Sequence, residues 1–286
     1  MSNIRIGIIG GKGAMGRWFE KFFTQAGHKV LISDLRTMFT SKFLVRVCDI
    51  IIISVPLDAA PEIAKDIGHR MSRHQVLSDI CSLKEDIVNA MFESADAEVV
   101  GMHPLFGPFA DSICGQNVVL CPARGETWAD WLQAEFERYG AKISRMDAGS
   151  HDRNMAIFQG LTHLLSISIG RMLQKTDMHP AQAISHCTPV FRVNMDLVGR
   201  LFAQDLGLYE RLIGQNKYVG QILNIFLSAL EESREKLLSG QLGNGTEFLT
   251  EIRSFLGNFC EQGLNESNEF LNAFYLNVSS KHTDSL

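Results

Sequence analysis

Apolar residues run almost unbroken through "IRIGII" (residues 4–9), and the pattern then changes character. A short apolar run of this kind reads as a strand buried on both faces of a parallel sheet, whereas the adjoining "GGKGAMGRWFEKFFTQAG" carries its apolar residues at helical spacing and closes on a glycine. The pattern predicts a strand, a turn and a helix. Further strand-like runs occur in "KVLISD", "CDIIIISVP", "HQVLSDICS", "AEVVGMHP" and "QNVVLCPA", with helical stretches such as "DAAPEIAKDIGHRM" and "LKEDIVNAMFES" between most of them. Strands alternating with helices predict an α/β fold, a Rossmann-type doubly wound and mainly parallel sheet.

After about Ile143 the texture changes, because "HDRNMAIFQGLTHLLSISIGRMLQK" and most of the remaining chain have long 3.6-residue periods and few strand-like runs. The reading is two domains: a dinucleotide-binding domain over residues 1–148 and an all-helical substrate and dimerisation domain over 149–286. A Gly/Asn turn in "SGQLGNGTEF" separates two long helices, and the tail "SSKHTDSL" is expected to fray. An all-helical half with broad apolar faces and no sheet to cover them predicts a homodimer formed through residues beyond 150.

Composition narrows the partners. The 286 residues are 45% hydrophobic and 21% charged, and the net charge of -5 argues against nucleic acid or an anionic membrane as the main partner. Six cysteines (Cys48, Cys81, Cys114, Cys121, Cys187, Cys260) lie scattered with no C-x-x-C pair, which fits reduced buried thiols better than disulfides or a zinc site. No run has the length of a signal or membrane segment, so the expected location is the cytoplasm.

Gly11, Gly13 and Gly16 form G-x-G-x-x-G directly between the first strand and the first helix, with Ala14 and Met15 inside the motif. The first glycine is expected to allow the tight turn, the second to let a pyrophosphate approach the backbone and the third to let helix pack on strand, with the helix N-terminus facing the phosphates. Asp34 closes the second strand at the distance where a carboxylate accepts hydrogen bonds from the adenosine ribose and repels a 2′-phosphate, which favours NAD; Arg36, two residues on, keeps NADP as the alternative. Ser54, Val55 and Pro56 end a later strand and are expected beside the nicotinamide or its ribose. The three tryptophans (Trp18, Trp128, Trp131) fall on helical patterns and read as packing residues.

A binding fold leaves the reaction open. His103 closes a strand at the carboxyl edge of the sheet, where ligands collect, and Pro104 turns the chain off that edge; from position alone, a structural histidine is the commoner reading. Taken together, "GGKGAMGRWFEKFF", "ISVPLDAAPEI", "SDICSLKEDI", "GMHPLFGP", "HDRNMAIFQGLTHLLSISIG" and "FRVNMDLVGRLFAQDLGLYERLI" resemble the prephenate dehydrogenase family, in register from residue 4 to about 275. The likeness is closest to the dehydrogenase portion of the enterobacterial bifunctional chorismate mutase/prephenate dehydrogenase, with the mutase segment expected to be absent.

The resemblance implies NAD-dependent oxidative decarboxylation of prephenate in tyrosine biosynthesis, with no metal. His103 matches the family's catalytic histidine, which accepts the C4 hydroxyl proton while hydride leaves for the nicotinamide. Ser82 matches a serine that hydrogen-bonds that hydroxyl and the histidine; as residue chemistry alone it reads as a helix N-cap. Arg200 matches the arginine set against the ring carboxylate, which a guanidinium can grip with two parallel hydrogen bonds. His163, expected on one helical face with Gln159, matches a residue near a substrate carboxylate with a part in inhibition by tyrosine, although a packed helix histidine is the plainer reading. Lys84 matches a supporting lysine, with a solvated first-turn lysine equally consistent, and Gly107 and Pro108 are expected to shape the loop over the ring. Arg192 reads as structural, and His151 and Asp152 as helix-start and domain-junction residues.

Rival readings are arogenate or 4-amino-4-deoxyprephenate as substrate, a β-hydroxyacid dehydrogenase and a non-catalytic NAD-binding protein. Against the β-hydroxyacid dehydrogenase stands the lack of a Lys-x-x-x-Asn on the helix after residue 150.

Overall fold

A computed structural model of the chain describes residues 4–238 and 244–283, without the side chains of Asn244 and residues 277–283. Seven strands form one sheet in the order β2-β1-β3-β4-β5-β6-β7. They are β1 (Arg5–Ile9), β2 (Lys29–Ser33), β3 (Ile50–Ile53), β4 (Val76–Asp79), β5 (Glu98–Pro104), β6 (Asn117–Arg124) and β7 (Lys142–Arg145). The first five run parallel. β6 turns antiparallel to β5, because the chain from Pro104 to Asn117 contains no helix to carry it back across the sheet. β7 then pairs parallel with β6.

Strand alternation sorts the core into two layers. Ile51, Ile53, Leu77 and Val99 pack with Leu44, Ala64, Ile67 and Met91, so α2 (Ser41–Val47), α3 (Ala60–Gly68) and α4 (Glu85–Ser94) cover one face. Ile6, Ile8, Ile50 and Ile52 pack with Phe19, Phe23, Leu132 and Phe136, so α1 (Ala14–Gln25) and α5 (Thr127–Arg138) cover the other. All three tryptophans pack against this second layer, as their helical pattern implied. Because β1 lies between β2 and β3, the chain leaves it in opposite directions on its two sides, and the resulting crevice at the carboxyl ends is where open α/β sheets take ligands.

The chain divides into two compact units, Met1–Gly160 with Glu210–Tyr218, and Leu161–Tyr209 with Val219–Leu286. This division falls at Gly160, beyond the boundary expected at residue 148. The sheet unit keeps α6 (Ala148–Met155) and the π-helical turn Ala156–Leu161 as far as Gly160, because His151, Asp152 and Met155 are buried in it. Asn216, returning from 210–218, donates to the Asp152 carbonyl at 2.8 Å.

The second unit is helical: α7 (Thr162–Lys175), α8 (Pro180–Ser185), α9 (Pro189–Phe202), part of α10 (Leu206–Gly214), α11 (Val219–Leu238), α12 (Asn244–Leu256) and α13 (Phe259–Thr283). Among the described residues its buried cluster is small, Leu173, Ala183 and Met195, and large apolar side chains such as Leu230, Phe255 and Leu264 stay exposed. The expected Gly/Asn turn at 239–243 and the last tail residues, 284–286, lie outside the described residues. Residues 279–283 of the tail, expected to fray, continue α13 instead. Cys48, Cys81 and Cys121 are buried thiols whose pKa burial raises, while Cys114 is exposed, against expectation.

Candidate active site

The glycine loop folds tightly onto its neighbours. Gly10 takes φ +81°, a left-handed conformation that favours glycine, and a Cβ there would stand 2.1 Å from the Ser54 carbonyl oxygen. The tight turn thus belongs to Gly10, one residue before the motif. Gly11 is needed for space instead, because its Cβ would meet Ile32 at 2.5 Å. Gly16 allows the packing expected of it, lying buried where a Cβ would approach the Gly10 carbonyl oxygen at 2.6 Å.

Helix α1 begins behind this loop with no side-chain cap at Gly13 and no acidic residue in its first turn. Its free N–H groups and positive dipole end therefore remain available to an anion, with Gly13 and Ala14 exposed and Met15 packed inward. Asp34 sits beside the loop, its Oδ2 accepting from the Lys12 amide at 3.0 Å and its Oδ1 from the Leu35 amide at 2.8 Å. The Lys12 ammonium donates to the Arg36 carbonyl at 3.3 Å. Ser54 receives the end of β1 through its amide, 2.7 Å from the Ile9 carbonyl; Ser54 and Val55 are half-buried and Pro56 is exposed at the same edge. An uncapped helix start, a glycine turn with no room for side chains and a neighbouring carboxylate fit a nicotinamide dinucleotide.

His103 lies two residues beyond the last β4–β5 pairing, with its ring buried. Its Nδ1 stands 2.8 Å from His151 Nε2, and His151 Nδ1 stands 2.7 Å from Asp152 Oδ1. Its other nitrogen, Nε2, faces Gln159 Nε2 at 3.3 Å. Gln159 Oε1 is buried and has no hydrogen-bond partner among the described residues, the kind of gap that a ligand group fills. Burial holds the His103 pKa well below the ordinary imidazole value, and the Lys84 ammonium, with any charge on His151, pushes it the same way.

Lys84 is fully buried. Its ammonium pairs with Asp79 and donates to the Met102 carbonyl at 2.9 Å, so it tethers the ends of β4 and β5 from inside rather than reaching a ligand, and it is not the solvated lysine of the alternative reading. Burial pushes the Asp79 carboxyl up, against the pull of Lys84. Ser82 is half-buried and does not cap α4, which starts at Glu85. The cap is Asp152, accepting from the Lys84 amide at 2.8 Å and the Glu85 amide at 2.9 Å. Gly107 has open space where a Cβ would stand, and Pro108 lines a cavity of about 540 Å³ with Ala14, Arg17 and Trp18.

In the helical unit, His163 meets the ring of Tyr209 edge-on, with centroids 4.8 Å apart, and burial lowers its pKa. Arg200, exposed near the end of α9, places its charge close enough to draw the Tyr209 pKa down against the rise that burial causes. Tyr209 thus feels both residues, His163 through a ring contact and Arg200 through its charge. Gln159, expected on one helical face with His163, lies in the π-helical turn, and its amide nitrogen stands 3.3 Å from His103 Nε2. Arg192 pairs with Asp196 at 3.3 Å, in keeping with a structural role.

His151 and Asp152 are the site residues that sequence reasoning undervalued. The available signal was two adjacent polar groups on a helix start; what gave them meaning lies 48 and 68 residues away in the chain.

Fold and glycine loop define a dehydrogenase-type nucleotide-binding protein carrying a helical second unit. Residues 17–145 match the nucleotide-binding domain of prephenate dehydrogenase and residues 147–251 its dimerization domain. The chain belongs to the prephenate dehydrogenase family. It is 27% identical over 267 residues to the T-protein of Haemophilus influenzae, covering 93% of this chain and 71% of that one. It is 29% identical over 264 residues to the T-protein of Enterobacter agglomerans, covering 92% and 70%. Its fold is similar to that of prephenate dehydrogenase from A. aeolicus in complex with hydroxyphenyl propionate and NAD+, with a TM-score of 0.72, 19% identity and coverage of 88% and 97%. Synechocystis arogenate dehydrogenase has the same TM-score at 16% identity, covering 88% and 98%. Among the described residues no helix is long and apolar enough to cross a membrane.

Proposed function

We propose that the chain oxidises and decarboxylates prephenate to 4-hydroxyphenylpyruvate and carbon dioxide, with NAD as the hydride acceptor. The observation that carries this reading is His103: a buried imidazole at the carboxyl edge of a dinucleotide-type sheet, one nitrogen engaged by His151 and the other facing a half-buried amide. A nicotinamide dinucleotide bound at the glycine loop would supply the hydride acceptor at C4 of the substrate. His103 Nε2 takes the proton of the C4 hydroxyl, assisted by Ser82, so that the carbinol becomes a ketone as hydride leaves. The resulting dienone draws the electron pair of the carbon–carboxylate bond into the ring, which becomes aromatic, so no metal is called for.

Arg200 pairs with the ring carboxylate and His163 with a substrate carboxylate, while Gly107 shapes the loop over the ring. Gly11, Gly13, Ala14, Met15 and Gly16 hold the pyrophosphate, Ser54, Val55 and Pro56 flank the nicotinamide half, and Asp34 accepts from the adenosine ribose. The last of these favours NAD over NADP, since its carboxylate would repel a 2′-phosphate. The exposed apolar residues of α11 to α13 support a homodimer, expected to sediment at twice the chain mass; a monomer at micromolar concentration would overturn that part. The single test of function is NADH production by the purified protein from prephenate, arogenate and 4-amino-4-deoxyprephenate. Highest kcat/KM on prephenate is expected, and preference for either analogue, or no turnover of any, would overturn the assignment. Addition of tyrosine to the same assay is expected to inhibit.

A further inference from the structure

Resting on that reading, we propose that His151 and Asp152 are positioning residues that aim the His103 lone pair and receive its charge, forming a His103–His151–Asp152 proton chain. The direction of every proton in it is set from one end. Asp152 already accepts backbone N–H groups at both oxygens, so it presents an acceptor to His151, whose Nδ1 must therefore carry the hydrogen. In the neutral ring this leaves His151 Nε2 as an acceptor. His103 Nδ1 must then be the donor across the 2.8 Å contact, and its Nε2 is left with the lone pair. The Gln159 amide stands 3.3 Å from that lone pair and can present an N–H to it. The opposite direction would set two acceptors against each other at Asp152.

The chain also answers an energetic difficulty. The groups around His103 are His151 from α6, backed by Asp152, Lys84 ahead of α4, itself paired with Asp79 of β4, and Gln159 from the π-helical turn. A charged imidazole in this buried place, with the Lys84 ammonium nearby, is disfavoured, so His103 alone is a poor resting place for a proton. Passing it inward relieves this. As the substrate hydroxyl proton bonds to His103 Nε2, the Nδ1 hydrogen crosses to His151 Nε2. His103 ends neutral with its hydrogen on Nε2, and His151 ends as an imidazolium against the Asp152 carboxylate. One proton enters and one moves on, with no other bond changed.

His151→Gln separates this from passive support. A glutamine oxygen can still accept from His103 Nδ1 and its amide can still donate to Asp152, so the lone pair stays aimed while the proton acceptor is lost. Expected is a fall in kcat of roughly tenfold or more with KM within about twofold, and an acid limb of the kcat profile displaced to lower pH. Wild-type kcat and limb in this variant would overturn the chain. Asp152→Asn, which lets the amide face His151 and reverse both tautomers, is expected to lose roughly 10²–10⁴-fold in kcat. Should either variant fail to fold, ¹⁵N spectra of the histidines in the unmodified resting protein decide: Nδ1-protonated His103 and His151 are expected, and an Nε2-protonated His103 would sink the proposal. If the unmodified protein turns over no prephenate, the functional reading fails first; if it does and His151→Gln matches it, only the chain fails.

Discussion

The two units of the molecule bury opposite things. In the sheet unit, polar groups go inside with their partners: Lys84 with Asp79, and His103 with His151 and Asp152. In the helical unit the described core is slight, and side chains such as Phe255 stay 89% exposed. Sheet faces cover themselves once helices lie on both sides, leaving depth for polar machinery. Helices that expose apolar faces are half of an interface, in line with the dimerization domain that residues 147–251 match. The proposed base therefore sits in buried, dry surroundings, and the proposed carboxylate partner Arg200 is exposed.

This contrast can be broken at its strongest point first. Lys84→Met leaves the Asp79 carboxylate buried without its cation, and denaturant unfolding is expected to show a loss of about 3–5 kcal/mol, as for other buried pairs broken on one side. Unchanged stability would mean that the pair is not closed to water. His103→Asn is expected to lower kcat by roughly 10²-fold or more with little change in KM. Arg200→Ala is expected to act chiefly through KM, raising it about tenfold or more, as for loss of a charge-assisted hydrogen bond worth about 1.5–3 kcal/mol. Equal, small effects from these two variants would erase the division of labour between base and clamp.

The smallest effect concerns pH. His163 has a folded pKa below the ordinary value of about 6.5, so below that pH the unfolded chain binds a proton that the folded one refuses. Its contribution is complete above about pH 6.5 and turns against folding as pH falls through that value. His163→Gln is expected to shrink the drop in Tm between about pH 7.5 and about pH 5 by a few degrees at most. An unchanged drop would show that the ring is solvated.

What the sequence made legible was local. The glycine motif, the acid closing β2 and the histidine closing β5 each carry their meaning within a few residues, because turn chemistry and sheet edges are set by neighbours in the chain. The turn glycine was misplaced by one, since Gly10 and Gly11 are adjacent and only the fold shows which takes positive φ. Lys84 reads as a first-turn lysine until β4 and β5 close around it. Ser82 reads as a helix cap until a carboxylate from α6 occupies that role. His151 and Asp152 look like a junction because both of their partners arrive through tertiary folding, which periodicity does not encode.

Asp152 does two jobs with one carboxylate, closing the start of α4 and anchoring the imidazole pair. On the proposed reading, fraying of that first turn would disarm His103, and loss of the carboxylate that anchors the pair would fray the turn. Exchange of the Lys84 and Glu85 amides with deuterium would keep time with the fraction of molecules able to react, making two backbone hydrogens a gauge of readiness that needs no substrate.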